Sequence, residues 1–273
     1  MSREIKNRDS VKKKYIKYLN TVHGAKKYND YKKILYGRPD SLVIELFRRI
    51  YPNIKDQKSL KILDVGGGDG KRLKLLFDLL SKKGIDASAT LVEPSSAFVT
   101  ELKKSLKSAK KYNIRVAKRK FEDYFEKGEY DLILFIHSIF TFKGSVYLQK
   151  AKKMLAKNGL LIVMSNDPKS FIAGLKKITD AKFRSERKEI GSVLRDLINH
   201  GFKHKIEKFD TIFRDATKDD KISASGKKIL EWISLSDYKD ISGNIKSKAL
   251  SYFKGKTINN QVKEKEILIK SRQ

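Results

Sequence analysis

From residue 60 to residue 165, short apolar runs alternate with segments whose apolar residues recur every three or four positions. LKILDV (60–65), ASATLVE (87–93), NIRVAK (113–118), YDLILFIH (130–137) and GLLIVMS (159–165) have the length and apolar density of strands. Between them, KRLKLLFDLLSKKG (71–84) reads as a helix stopped by Gly84. SSAFVTELKKSLKSA (95–109) reads as a helix opened by a serine cap, and VYLQKAKKML (146–155) also has helical spacing. Strands alternating with helices at this spacing predict βαβ units and an α/β fold, a parallel sheet with helices on both faces.

The flanks follow a slower rhythm. Residues 10–50 read as helical pieces: VKKKYIKYL, a stretch holding Tyr28, Tyr31 and Tyr36, and SLVIELFRRIY with one stripe of Leu42, Val43, Leu46 and Ile50. After residue 166, SFIAGLKKI, IGSVLRDLINHG, GKKILEWISLSDY and IKSKALSYFKG have helical spacing. FKHKIEKFDTIF (202–213) and VKEKEILIK (262–270) have strand length and predict an antiparallel edge on the sheet. The expected organisation is a helical N-terminal lid segment, 1–55, and one domain, 56–273, with helical insertions after 166 that extend the lid.

Composition narrows the chemistry. The chain has no cysteine, which removes disulfides, thiol nucleophiles and thiolate metal sites. No apolar run approaches the ~18 residues a membrane span needs, and the first residues lack the apolar core of a secretory signal. The expectation is a cytoplasmic protein with no membrane span, a monomer or dimer. Lys and Arg number 62 against 32 Asp and Glu, a formal charge of +30. Such a field attracts polyanions, so RNA is a possible partner. The run LKKSLKSAKKYNIRVAKRK (102–120) contains no acid; it reads either as a solvated basic helix face or as a phosphate-contacting surface.

The stretch KILDVGGGDGKRLKLL (61–76) carries the most information. Its glycines stand where a strand hands over to a helix, which lets a ligand approach the backbone closely. A P-loop is excluded, because the position its first glycine would take is Val65 and Arg72 follows Lys71. The dinucleotide fingerprint is disfavoured, because its third glycine would fall on Lys71. What remains is acid-x-G-x-G-x-G: Asp64, Gly66, Gly68 and Gly70, with Gly67 between. The next strand ends in Glu93, followed by Pro94 and Ser95, and an acid there can accept both hydroxyls of a ribose. Downstream, KFEDYF (120–125) offers Glu122 and Asp123 to an adenine amino group, with Phe121 or Phe98 to flank the ring. An adenosine face without a phosphate clamp points to S-adenosyl-L-methionine as cofactor.

At these residues the chain resembles the class I S-adenosylmethionine-dependent methyltransferases, from about residue 60 to 166. The resemblance implies a Rossmann-like sheet of seven strands, mostly parallel, with an antiparallel edge strand, and S-adenosyl-L-homocysteine as product. A narrower similarity runs over most of the chain to the histamine N-methyltransferase-like small-molecule methyltransferases, carried by KILDVGGGDG, LVEPSSAFV, YDLILFIHSIFTF, LLIVMS, SFIAGLKKI, ILEWISL and TINNQVKEKEILIK. That similarity implies that the loop glycines, Glu93, Phe98, Glu122, Asp123 and Ile136 touch the cofactor. It implies that Asn260 contacts the substrate, and it sets Phe171 and Leu175 where that family has pocket tryptophans. The acceptor implied is a small molecule, most simply an amine. The chain departs where that family's amine-binding glutamate would fall: GAKKYND offers Lys26 and Lys27, so histamine itself is not the expected acceptor.

An amine must lose its proton before it attacks a methyl group. His137, just past the fourth strand, is the candidate base or orienting group and a candidate cofactor contact; a polar residue ending a buried strand is the other reading. Phe140 and Phe142 follow it, either lining an aromatic acceptor pocket or packing in the core. No histidine pair has metal-ligand spacing with an acid nearby, so no metal is expected. No NPPY-like tetrad follows the fourth strand, which argues against amino-adenine methylation.

Overall fold

Strands form where the apolar runs lack helical spacing, and the computed structural model describes them within residues 17–37, 40–107, 111–125, 128–139, 142, 145–179, 190–214, 216–259 and 261–272. The described elements begin with α1 (Val22–Tyr36), α2 (Ser41–Ile54), β1 (Ser59–Val65), α3 (Lys71–Ser81), β2 (Asp86–Val92), α4 (Ser96–Lys107) and β3 (Asn113–Ala117). They continue with β4 (Tyr130–Ile136), α5 (Val146–Met154), β5 (Leu155–Asn166), α6 (Phe171–Ile178), α7 (Ile190–Asn199) and β6 (Lys203–Arg214). A short hairpin, β7 (Thr217–Lys218) and β8 (Lys221–Ile222), precedes α8 (Ala224–Ser234), α9 (Gly243–Lys256) and β9 (Gln261–Arg272).

The strands form a seven-stranded sheet in the order β3-β2-β1-β4-β5-β9-β6. β1 pairs in parallel with β2 and β4, β2 with β3, and β4 with β5. Both faces are covered, as a parallel sheet requires: Ile62, Leu63, Val65 and Leu132 to Phe135 are all buried. β9 is antiparallel. Its Lys265 carbonyl accepts the N–H of Asp167, just past the end of β5 (2.9 Å), while its last residues lie beside Leu160, further back along β5. This strand sits one place in from the edge, and β6 forms the edge itself. The reason is in their patterns. Residues 266–269 of β9 are buried on both faces, which suits an interior strand, whereas residues 203–208 of β6 are all exposed or half-buried.

The chain divides into two compact units. The sheet unit comprises residues 39–165, 188–208 and 267–273; the second comprises 1–38, 166–187 and 209–266. The N-terminal segment 1–55 is thus shared, with α1 in the second unit and α2 in the sheet unit. In the sheet unit one continuous core joins β1, β4 and β5 to α5 and α7 through Leu63, Phe135, Leu161, Leu148, Val193 and Leu197. Phe142 packs on that core, 5.6 Å edge-on from Phe135 and stacked 5.1 Å from Tyr147, so packing accounts for its aromatic ring. Asp40 starts α2: Oδ1 accepts the N–H of Leu42 (3.1 Å), and Oδ2 accepts from Nε of the buried Arg72 (2.9 Å). One carboxylate therefore caps α2 and anchors the first turn of α3.

The second unit is organised around Trp232 of α8. Tyr18, Tyr28 and Tyr31 pack on it, with ring centroids 6.4, 4.8 and 5.7 Å away. Lys27 of α1 is held by Asp237 and, at 3.7 Å, by Glu231. Two fully buried carboxylates on β9 share a donor: Asn166 Nδ2 donates to Glu264 (2.7 Å) and Glu266 (3.2 Å). The Tyr36 hydroxyl donates to Glu266 (2.8 Å) and the Ile172 N–H to Glu264 (3.0 Å).

Candidate active site

The parallel register brings the loops after β1, β2 and β4 to one edge of the sheet unit. One hydrogen bond continues each ladder past its strand: Gly66 N–H to Val92 O (2.8 Å), Glu93 N–H to Ala117 O (3.1 Å) and His137 N–H to Met164 O (2.9 Å). The glycine loop, Glu93 and His137 therefore share the carboxyl edge, where open α/β sheets bind ligands.

Within the loop the glycines have different tasks. At Gly66 (φ +73°) an added Cβ would stand 2.6 Å from the Cβ of Ser138, and at Gly67 it would stand 2.3 Å from Asp64 Oδ2. Those positions are set by packing. At Gly68 (φ +61°) an added Cβ would meet no protein atom within 4 Å, so the left-handed backbone and the open side coincide there. At Gly70 a Cβ would press on Leu102. Asp64 is buried beneath the loop.

Glu93 is the fixed point of the site. It is 7% exposed, and each carboxylate oxygen is bonded: Oε2 accepts the Gly68 N–H (3.0 Å) and Oε1 the Ser95 N–H (2.8 Å). Two backbone amides hold the charge against the glycine loop. These residues fit an adenosine: an anchored double acceptor stands beside a stretch of backbone free of side chains. Ser95 Oγ accepts the N–H of Phe98 (3.4 Å) and so opens α4, while Pro94 is exposed.

Phe121, Glu122 and Asp123 form one 3-10 turn after β3. Lys150 Nζ donates to the carbonyls of Phe121 (2.7 Å) and Glu122 (2.9 Å), fixing the turn and leaving both acidic side chains exposed. The Phe121 ring is 2% exposed and edge-on to Phe135 and Phe142, so it is a core ring; Phe98, 3% exposed, is also covered. Ile136 and His137 are half-buried at the end of β4. His137 has φ +55°, a left-handed conformation that costs a non-glycine residue about 1–3 kcal/mol and clusters at functional sites.

Among the predicted substrate residues, Phe171 lies in the second unit, buried and stacked on Tyr252 (5.2 Å) and Phe253 (5.5 Å). Phe140 and Asn260 lie outside the described residues. Among the described residues no group of three His, Asp or Glu could hold a metal, and no helix is long and apolar enough to cross a membrane.

Two contributors escaped the sequence reading. Ser138 is buried, and its hydroxyl donates to Val65 O (2.6 Å), tying the end of β1 to the loop after β4. Asp69, 2% exposed, accepts from Lys71 Nζ (2.7 Å) and the Lys71 N–H (3.3 Å), bracing the loop from within. The available signal for Asp69 was an acid between two glycines; for Ser138 it was a small residue directly after a buried strand.

A family model described as a methyltransferase domain matches residues 31–221. No curated protein sequence matches the chain. Among solved structures, the plantazolicin methyltransferase BamL, in complex with a triazolic desmethylPZN analog and SAH, aligns with TM-score 0.61 at 13% identity over 99% of each chain. The plantazolicin methyltransferase BpumL, in the same type of complex, gives 0.60 at 14% over 100% of each. YcgJ from Bacillus subtilis gives 0.59 at 12%, over 84% of this chain and 99% of its own. At such identities the likeness is one of fold.

Proposed function

Because the chain belongs to the methyltransferase domain family and is an S-adenosylmethionine-dependent methyltransferase, we propose that it methylates a nitrogen of a small-molecule acceptor. Glu93 and the glycine loop hold the donor's adenosine in this reading. The observation that carries it is the buried Glu93 carboxylate, fixed by the amides of Gly68 and Ser95. When bound, S-adenosylmethionine supplies a sulfonium-activated methyl group. The protein's part is to bind and align. Glu93 accepts from the ribose hydroxyls, and Gly68 lets the backbone come close. Glu122 or Asp123, exposed on the turn pinned by Lys150, accepts from the adenine amino group. Ile136 lines the end of β4, and Asp64, beneath Gly67, supports the loop. His137 orients the acceptor nitrogen and takes up its proton, so that a lone pair is free when the methyl is presented.

A small acceptor is supported by two lines. On the sequence alone, the resemblance to the histamine N-methyltransferase-like enzymes extends to the segments after residue 166. The plantazolicin enzymes, whose structures carry desmethylPZN analogs, share the fold over 99% or more of both chains. Histamine itself is not proposed: Lys27, near where that family places its amine-binding acid, is engaged by Asp237 and Glu231. The test is methyl transfer from donor labelled in the methyl group to separate pools of small amines, small hydroxyl compounds and bulk RNA. Label in the amine pool alone is expected. Label confined to RNA overturns the acceptor reading while leaving the donor site intact.

A further inference from the structure

The sheet unit carries a concavity of about 700 Å³ away from the carboxyl edge, built from the C-terminal half of α2, the start of β6 and the end of β9. Six of its eleven lining residues are Lys or Arg, against 62 of 273 in the whole chain, so it is enriched well beyond the general basicity. Leu160, Arg49, Lys270 and Glu207 are buried or half-buried and form its floor. Arg48, Lys203, Lys205 and Arg272 are exposed and form its rim.

The floor is tied together by ion pairs and a hydrogen bond. Glu207 is approached by Lys270 Nζ (2.5 Å), Lys205 Nζ (3.5 Å) and Arg49 Nε (3.6 Å), and Lys270 also donates to the Arg49 carbonyl (3.2 Å). Burial works to raise the Glu207 carboxyl, yet Lys270 and Lys205 beside it hold it below the ordinary carboxylate range. Arg48 and Arg49 are paired with Glu45 one helical turn back. Six cations thus face two carboxylates, a clear positive excess gathered at one concave surface. Arginine forks and lysines at one rim suit the several oxygens of a phosphate chain, and the volume falls in the range of small-ligand sites.

We propose that this concavity binds an anion with several phosphate groups, either a free polyphosphate or the phosphodiester backbone of a nucleic acid. It uses none of the residues of the donor cleft and does not depend on the acceptor reading. Inorganic tripolyphosphate titrated into the full chain at moderate salt should bind saturably, one per chain. The pair Lys203→Glu with Arg272→Glu should weaken it by about tenfold or more, since each lost contact is a charge-assisted hydrogen bond. Lys103→Glu with Lys104→Glu makes the same charge change on exposed residues of α4 and should alter affinity by less than about twofold, as distant screened charges do. Glu207→Gln, which releases the floor cations, should tighten binding. Both paired variants replace exposed side chains, and a circular dichroism spectrum confirms their folding. A labelled single-stranded RNA displaced by tripolyphosphate, and weakened by the rim pair only, identifies the backbone as a source; RNA unaffected by either identifies free polyphosphate. Absence of saturable tripolyphosphate binding, or equal weakening by both pairs, overturns the site.

Discussion

His137 holds a backbone conformation that a residue with a Cβ adopts only under constraint (φ +55°), at the point where β4 delivers its loop to the carboxyl edge. Glycine there would relieve strain of about 1–3 kcal/mol, against an entropic cost of about 0.5–1 kcal/mol. His137→Gly is therefore expected to unfold no earlier than the parent in a thermal melt, while turnover falls by about a hundredfold if the imidazole serves as acid–base group. Unchanged turnover would remove His137 from the site. Gly68 is the reverse case, because its Cβ would meet no protein atom. Gly68→Val adds strain of about 1–2 kcal/mol at a positive φ, yet should weaken donor binding far more than a clash-free substitution elsewhere in the loop region. Calorimetry with S-adenosylhomocysteine beside a urea titration separates the two effects. Glu93→Gln should behave nearly as badly as Glu93→Ala. Both carboxylate oxygens accept backbone N–H groups, and an amide must turn its NH2 toward one of those donors.

Elements tell a different story about legibility. The five parallel strands and the helices between them were readable because apolar runs, helical spacing and the Ser95 cap are local signals, and the glycine spacing already excluded a P-loop and disfavoured a dinucleotide. The place of β9 was not readable. Its neighbour on the sheet depends on a chain segment far off in sequence, and Glu264 and Glu266 look like surface residues until Asn166, some hundred positions earlier, is seen to donate to both. The β7–β8 hairpin also went unread, although Asp219 and Asp220, both at positive φ, are the turn residues that such a hairpin favours. The double role of Asp40 is another long-range fact. Asp40→Ala removes a helix cap of about 1 kcal/mol and leaves the buried Arg72 guanidinium without its Nε partner. A loss of about 2–4 kcal/mol in urea unfolding is expected, because breaking one side of a buried pair costs more than the pair contributes. A loss below about 0.5 kcal/mol would show that Asp40 does not anchor α2 to α3.

At the scale of the whole molecule, the charge of +30 and the methyltransferase fold are separate facts that meet on one sheet. The carboxyl edge is neutral in its logic: a buried carboxylate, bare backbone and a strained histidine, suited to a donor whose adenosine needs acceptors rather than phosphate clamps. The concavity along α2, β6 and β9 gathers cations instead. The sequence read the first through motif spacing and could not read the second, whose residues come from three distant stretches joined only by the sheet order. The central claim is that Glu93 is the donor's anchor. Isothermal titration of S-adenosylhomocysteine into the parent chain and into Glu93→Ala tests it most directly. Loss of two hydrogen bonds to a charged acceptor predicts affinity weaker by about a hundredfold or more, with the folded fraction unchanged. Affinities within about twofold of each other would contradict it.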